Sequence, residues 1–97
     1  MAEAREIVTL ADGTELEAGA AYDGQISVWI WETTPGAKTP AEYLAIFTDP
    51  EKTASITWQL GGSVAEWTGF TRFASIQIDG NGITRIRMMR PMNEGNF

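Results

Sequence analysis

Residues 54–60 alternate without a break, with Ala54, Ile56, Trp58 and Leu60 on one side and Ser55, Thr57 and Gln59 on the other. A period of two is the mark of a strand with one buried face. The same rhythm recurs along the chain, each time closed by turn residues. Residues 6–10 and 14–17 flank Ala11-Asp12-Gly13, and an Asp-Gly step between two short β-prone runs predicts a hairpin. Gly61-Gly62 joins 54–60 to a returning strand that begins at Val64-Ala65-Glu66-Trp67, and Asp79-Gly80-Asn81-Gly82 joins a strand ending at Ile78 to a last strand over 83–89. In that last strand Ile86 and Met88 face inward if Arg85 and Arg87 face water.

Residues 25–31 form the most β-prone segment, with Ile26, Val28 and Ile30 on one face and Ser27, Trp29 and Trp31 on the other. Residues 18–24 read as a loop. Thr68-Gly69-Phe70 interrupts what would otherwise be one long strand, and a glycine there predicts a bulge or sharp bend. Thr39-Pro40-Ala41-Glu42 is a capping box with proline at the first helical position. It predicts one short helix over about residues 40–48, ended by Asp49-Pro50, after which 49–52 read as a turn. So short a helix is unstable alone and has to pack on the sheet. The fold expected is mainly β: an antiparallel sheet of about seven short strands, curled into a sandwich or partial barrel, with the helix over one open side. Ninety-seven residues suit one domain, 1–97, with 91–97 as a loosely ordered tail.

Composition narrows the chemistry. The chain has no histidine and no cysteine, so the usual general base, the usual zinc ligands and the commonest covalent nucleophile are missing. Thirteen acids could in principle supply a glycosidase-like pair, but Asp12, Asp49 and Asp79 sit at turns and Glu42 is explained as a cap. Neither Asp12-Gly-Thr-Glu15 nor Asp79-Gly-Asn-Gly82 offers the ligand series of a calcium loop, and no glycine-rich phosphate cradle is present. The expectation is a protein that is not an enzyme, with no catalytic residues, no metal and no cofactor. Net charge is −6, divided as −8 over residues 1–66 and +2 over 67–97, and seven cations are too few for direct nucleic-acid binding. No run approaches a membrane span, and the charged opening lacks a signal's apolar stretch. Cytoplasmic synthesis without a membrane partner is therefore expected, with association with a virion as a later destination.

The four tryptophans are the exceptional constellation. Trp58 alternates with core positions. Trp29 and Trp31 project together from one strand face, which is either buried between two layers, the reading the sequence favours, or exposed to a partner. Trp67, next to the expected bend, fits either, and these three are the candidate partner-binding residues. Tryptophan is enriched where partners dock.

Three segments carry a resemblance: Ile7-Val8-Thr9-Leu10-Ala11-Asp12-Gly13-Thr14-Glu15-Leu16, Phe47-Thr48-Asp49-Pro50-Glu51-Lys52-Thr53 with Ile56, and Gly69-Phe70-Thr71 leading to Ile76. Together they resemble small prophage-encoded proteins of the tail-to-lysis region of Gram-positive bacterial phages. The resemblance implies a phage-derived accessory or virion-associated protein without enzymatic activity, and it transfers no functional residue. Three functional expectations follow. The first is a structural or protein-interaction module, self-associating or docking on a protein partner through an exposed strand or the Trp29/Trp31 face. The second is an acidic inhibitor of a host nucleic-acid-binding protein, with Glu15, Glu17, Asp23 and Glu32 gathered on one surface. The third, less favoured, is a carbohydrate-binding module using exposed tryptophans.

Overall fold

The computed structural model describes residues 5–24 and 26–91, so Gln25 and all of the expected tail beyond Pro91 lie outside the described residues. Seven antiparallel strands form one sheet in the order β5-β4-β1-β2-β3-β7-β6, and the sheet is not closed. The strands are β1 Ile7–Leu10, β2 Glu15–Tyr22, β3 Ser27–Glu32, β4 Ser55–Leu60, β5 Ser63–Thr68, β6 Arg72–Ile78 and β7 Thr84–Met89. The three expected hairpins are present as β1/β2, β4/β5 and β6/β7. At the first, Gly13 takes the positive φ of 92° that the turn requires, and its N–H donates to the Leu10 carbonyl at 2.9 Å.

Strand β2 differs from expectation and shapes the whole sheet. Residues 18–22, read from sequence as loop, continue the strand. Ala18, Gly19, Ala20 and Ala21 have little β propensity of their own, but their backbones are claimed by a ladder to β3 that pairs Gly19 with Trp31 and Ala21 with Trp29. The earlier half of the strand pairs with β1, from Glu15 opposite Thr9 to Glu17 opposite Ile7. One strand thus serves two half-sheets, β5-β4-β1-β2 and β2-β3-β7-β6, and the sheet curls about it. The two edge strands are consecutive in the chain, separated only by residues 69–71. Gly69 makes that bend with φ 83°, and its N–H donates to the Ala54 carbonyl at 3.1 Å.

The core fills the concave side. Val8, Leu10, Leu16, Ala18, Ala20, Val28, Ile30, Ile56, Ile86 and Met88 point into it from the strands, and Phe70 enters from the bend. Trp58, Trp67, Phe73 and Ile76 pack against this cluster. Ile26, placed by the sequence on one face with Val28 and Ile30, precedes β3 and is exposed, its carbonyl accepting from the Arg90 N–H.

Helix α1, Pro40–Phe47, starts at the predicted cap: the Thr39 hydroxyl accepts from the Glu42 N–H at 3.2 Å and Glu42 accepts from the Thr39 N–H at 2.8 Å. It lies near β6 and sends Tyr43 and Phe47 into the core. The expected turn at 49–52 is a second short helix, α2 Pro50–Thr53. Asp49 caps it by accepting from Glu51, and Pro50 takes the first position.

Candidate functional site

Opposed residues of antiparallel strands project to the same side, so the registers define the convex surface row by row. On the β2-β3-β7-β6 half, one row reads Ala21, Trp29, Arg87, Ser75 and the next Gly19, Trp31, Arg85, Gln77. Trp29 and Trp31 therefore stand side by side on the outer face, both partly exposed, with small residues on one flank and an arginine pair on the other. The alternation that places Val28 and Ile30 in the core forces both tryptophans outward. They form a half-buried pair on the outer face.

The geometry of each ring is distinct. A Cβ added to Gly19 would lie 2.4 Å from Cε2, 2.5 Å from Nε1 and 2.6 Å from Cζ2 of Trp31. Three nearly equal distances from atoms on one side of the indole put the Gly19 backbone under the ring face. Only glycine permits this approach, and the indole in turn covers a strand residue without a side chain. Trp29 instead lies beneath a guanidinium, with Arg87 Cζ 5.7 Å from the ring centroid, within cation–π range. Arg87 Nη2 also approaches Asp23 Oδ2 at 3.5 Å, and the same carboxylate accepts from the buried Ser27 hydroxyl. The Arg87 Nε has no hydrogen-bond partner among the described residues. Arg85 contacts Asp79 at 3.3 Å. Hydrogen bonds from the Asn81 and Ile83 N–H groups are the main cause holding the Asp79 carboxyl below its ordinary range.

Trp67 is elsewhere. It lies opposite Ile56 on β4, on the inward side, and packs partly buried against the core, as does Trp58 opposite Val8. The Trp58 Nε1–H donates to Glu6 Oε2 at 3.0 Å. The fold therefore brings Trp29 and Trp31 together and leaves Trp67 on the other side of the sheet.

Glu32 shows what the sequence concealed. Expected as a surface acid, it is 2% exposed, because it shares the inward parity of Val28 and Ile30 and the following segment folds back over it. Its Oε1 accepts from the Thr84 N–H at 2.9 Å and the Gly36 N–H at 3.2 Å. Its Oε2 accepts from the Tyr43 hydroxyl at 2.9 Å and the Lys38 N–H at 3.3 Å. Burial is the largest single influence on its carboxyl and raises the pKa, but the four donors together outweigh it and hold the group below the ordinary value. Burial first, and then the carboxylate it donates to, push the Tyr43 hydroxyl well up. This is a polar knot tying β3, β7, the 33–39 segment and α1, with no access for a substrate. Of the other acids grouped with it from sequence, Glu15 and Glu17 lie on the opposite half-sheet and Asp23 sits against Arg87. The four do not form one acidic surface.

An open cleft of about 180 Å³ beside Tyr43 is lined by Glu15, Leu16, Glu17, Ala37 and Lys38. Among the described residues no group of three acids could hold a metal ion, and no helix is long and apolar enough to cross a membrane. Comparison with family models, curated proteins and solved structures finds no match to this chain.

Proposed function

We propose that this chain is a non-enzymatic protein-interaction module that docks through the convex face bearing Trp29, Trp31, Arg85 and Arg87. The observation that carries the reading is the adjacent, partly exposed tryptophan pair on the solvent side of the sheet, flanked by arginines. Tryptophan and arginine dominate the residues whose truncation weakens interfaces most. Two rings already held, one on a glycine backbone and one under a guanidinium, lose little conformational freedom on docking. A phage setting, as a virion or tail-associated component, is the context the sequence resemblance supplies.

The test is capture of partners by tagged protein with chemical cross-linking, comparing the wild type with a Trp29→Ala/Trp31→Ala variant whose fold is verified by circular dichroism. Cross-linked partners captured by the wild type and lost in the variant support the reading. Equal capture by the folded variant sinks it.

A second reading, carbohydrate binding, is favoured by the flat seating of Trp31 on Gly19, since a supported indole face is what a pyranose ring stacks on. Retardation of the protein in polysaccharide-containing gels, abolished by Trp31→Ala, would favour it over a protein partner.

A further inference from the structure

The convex surface is divided by charge along the line where β2 changes partners. On the β2-β3-β7-β6 half, Arg85 and Arg87 stand in adjacent rows, and Arg72 joins them opposite Met89. On the β5-β4-β1-β2 half, one row reads Glu15, Thr9, Thr57, Glu66 and the next Glu17, Ile7, Gln59, Val64. Glu15, Glu17 and Glu66 are exposed, and so is Val64 at 65%. Arg5 contacts Glu17, and the Glu66 carboxylate accepts from the Ser55 hydroxyl at 3.0 Å. The charge difference between the two parts of the sequence has thus become a difference between two outer faces of one sheet.

Resting on the proposed docking role of the tryptophan face, we infer that its partner is the acidic outer half-sheet of a second copy of this chain. Arg85 and Arg87 of one molecule meet Glu15, Glu17 and Glu66 of the next, and Trp29 and Trp31 lie against the apolar spots at Ile7 and Val64. Charge complementarity selects this occupant, because a basic aromatic face and an acidic face are carried together on every molecule. Two acidic faces repel each other, as do two basic ones, so each contact joins unlike faces, and a single such contact per pair is head-to-tail. A heterologous contact of this kind builds rings or open chains instead of stopping at dimers. The Arg5–Glu17 pair is exposed and exchanges partners at little cost, while Arg85 and Arg87, half-exposed beside Asp79 and Asp23, keep further N–H donors free to meet a partner's carboxylates.

Sedimentation velocity at protein concentrations from about 10 μM to about 1 mM covers the affinities such a contact can reach. The wild type should form dimers and larger species whose apparent association weakens about tenfold when NaCl is raised from about 0.05 M to 0.5 M. A basic-face variant, Arg85→Glu/Arg87→Glu, and an acidic-face variant, Glu15→Lys/Glu17→Lys/Glu66→Lys, should each be monomeric. Mixed together they should associate again, because the untouched acidic face of one meets the untouched basic face of the other. Arg85→Ser/Arg87→Ser serves as the milder form should the double Glu substitution unfold beside Asp23 and Asp79.

A wild type that stays monomeric throughout, or single-face variants that associate like the wild type, would overturn the inference. A monomeric wild type whose cross-linked partner is still lost on Trp29→Ala/Trp31→Ala would overturn self-association alone and leave the docking face standing. Loss of neither would remove both.

Discussion

Glu32→Ala is the substitution expected to destabilise this domain most for its size. The side chain is nearly inaccessible and accepts four hydrogen bonds, from the Thr84, Gly36 and Lys38 backbone N–H groups and the Tyr43 hydroxyl. Hydrogen bonds to a charged group contribute ~1.5 to 3 kcal/mol each, and a donor left buried without a partner costs ~1 to 3 kcal/mol. The four are not additive, because the 33–39 segment can relax and admit water once the carboxylate is gone, so a loss of about 4 kcal/mol is expected. A domain of this length has a total stability of roughly 5 to 15 kcal/mol. At ~4 to 8 °C per kcal/mol, the melting temperature should fall by about 16 to 32 °C. Glu32→Gln separates shape from charge. Its amide oxygen can serve Thr84 and Gly36 and its NH₂ can donate to a rotated Tyr43 hydroxyl, but the Lys38 N–H is left facing a donor, so a loss of about 2 kcal/mol is expected. The sign with pH follows from the lowered folded pKa. Below the unfolded value of ~4.3 the unfolded chain takes up a proton first, so the carboxylate's contribution is complete above about pH 5 and disappears as pH falls through the folded pKa. Urea unfolding at pH 7 and at pH 3 measures both effects. Should Glu32→Ala lie within about 1 kcal/mol of the wild type at pH 7, the argument that this knot holds β3, β7 and α1 together is wrong.

Gly19→Ala should destabilise by ~1 to 3 kcal/mol, because the new methyl enters the space of the Trp31 ring. Trp31→Ala in the same chain should remove most of that cost, and a double-mutant cycle without coupling would refute the face-on seating. Phe47→Ala, at a fully buried position on α1, should cost ~3 to 5 kcal/mol in denaturant unfolding. Thr39→Ala should cost ~0.5 to 2 kcal/mol by opening the capping box, and replacing Glu42 as well should add little, since the two residues act as one unit. Iodide should quench emission from Trp29 and Trp31 more readily than from Trp58 and Trp67, which is measured with variants that each retain one outer or one inner tryptophan.

The strands that alternate cleanly were legible because each pairs with its sequence neighbour, and the turn residues fix where the chain reverses. Both helix caps are likewise local, and Thr39, Pro40 and Glu42 state theirs outright. The continuation of β2 was hidden because Ala18-Gly19-Ala20-Ala21 is a strand for a non-local reason: β3 supplies the ladder, and the small side chains are what the Trp31 ring requires on its neighbour. Read alone, the glycine signals a loop; read opposite a tryptophan, it signals a close approach. Glu32 misled for a related reason. Inward parity marked it for burial, but a carboxylate is buried only where donors converge on it, and Thr84 reaches it from 52 residues away in the chain. The tryptophan pair was half legible. Alternation put Trp29 and Trp31 on one face, and the pairing of β3 with β7 decided that this face carries arginines and no second layer of sheet. The same pairing turns a division of charge along the sequence into two opposed surfaces, because β6 and β7 lie beside β3 at one end of the strand order while β4 and β5 lie beside β1 at the other.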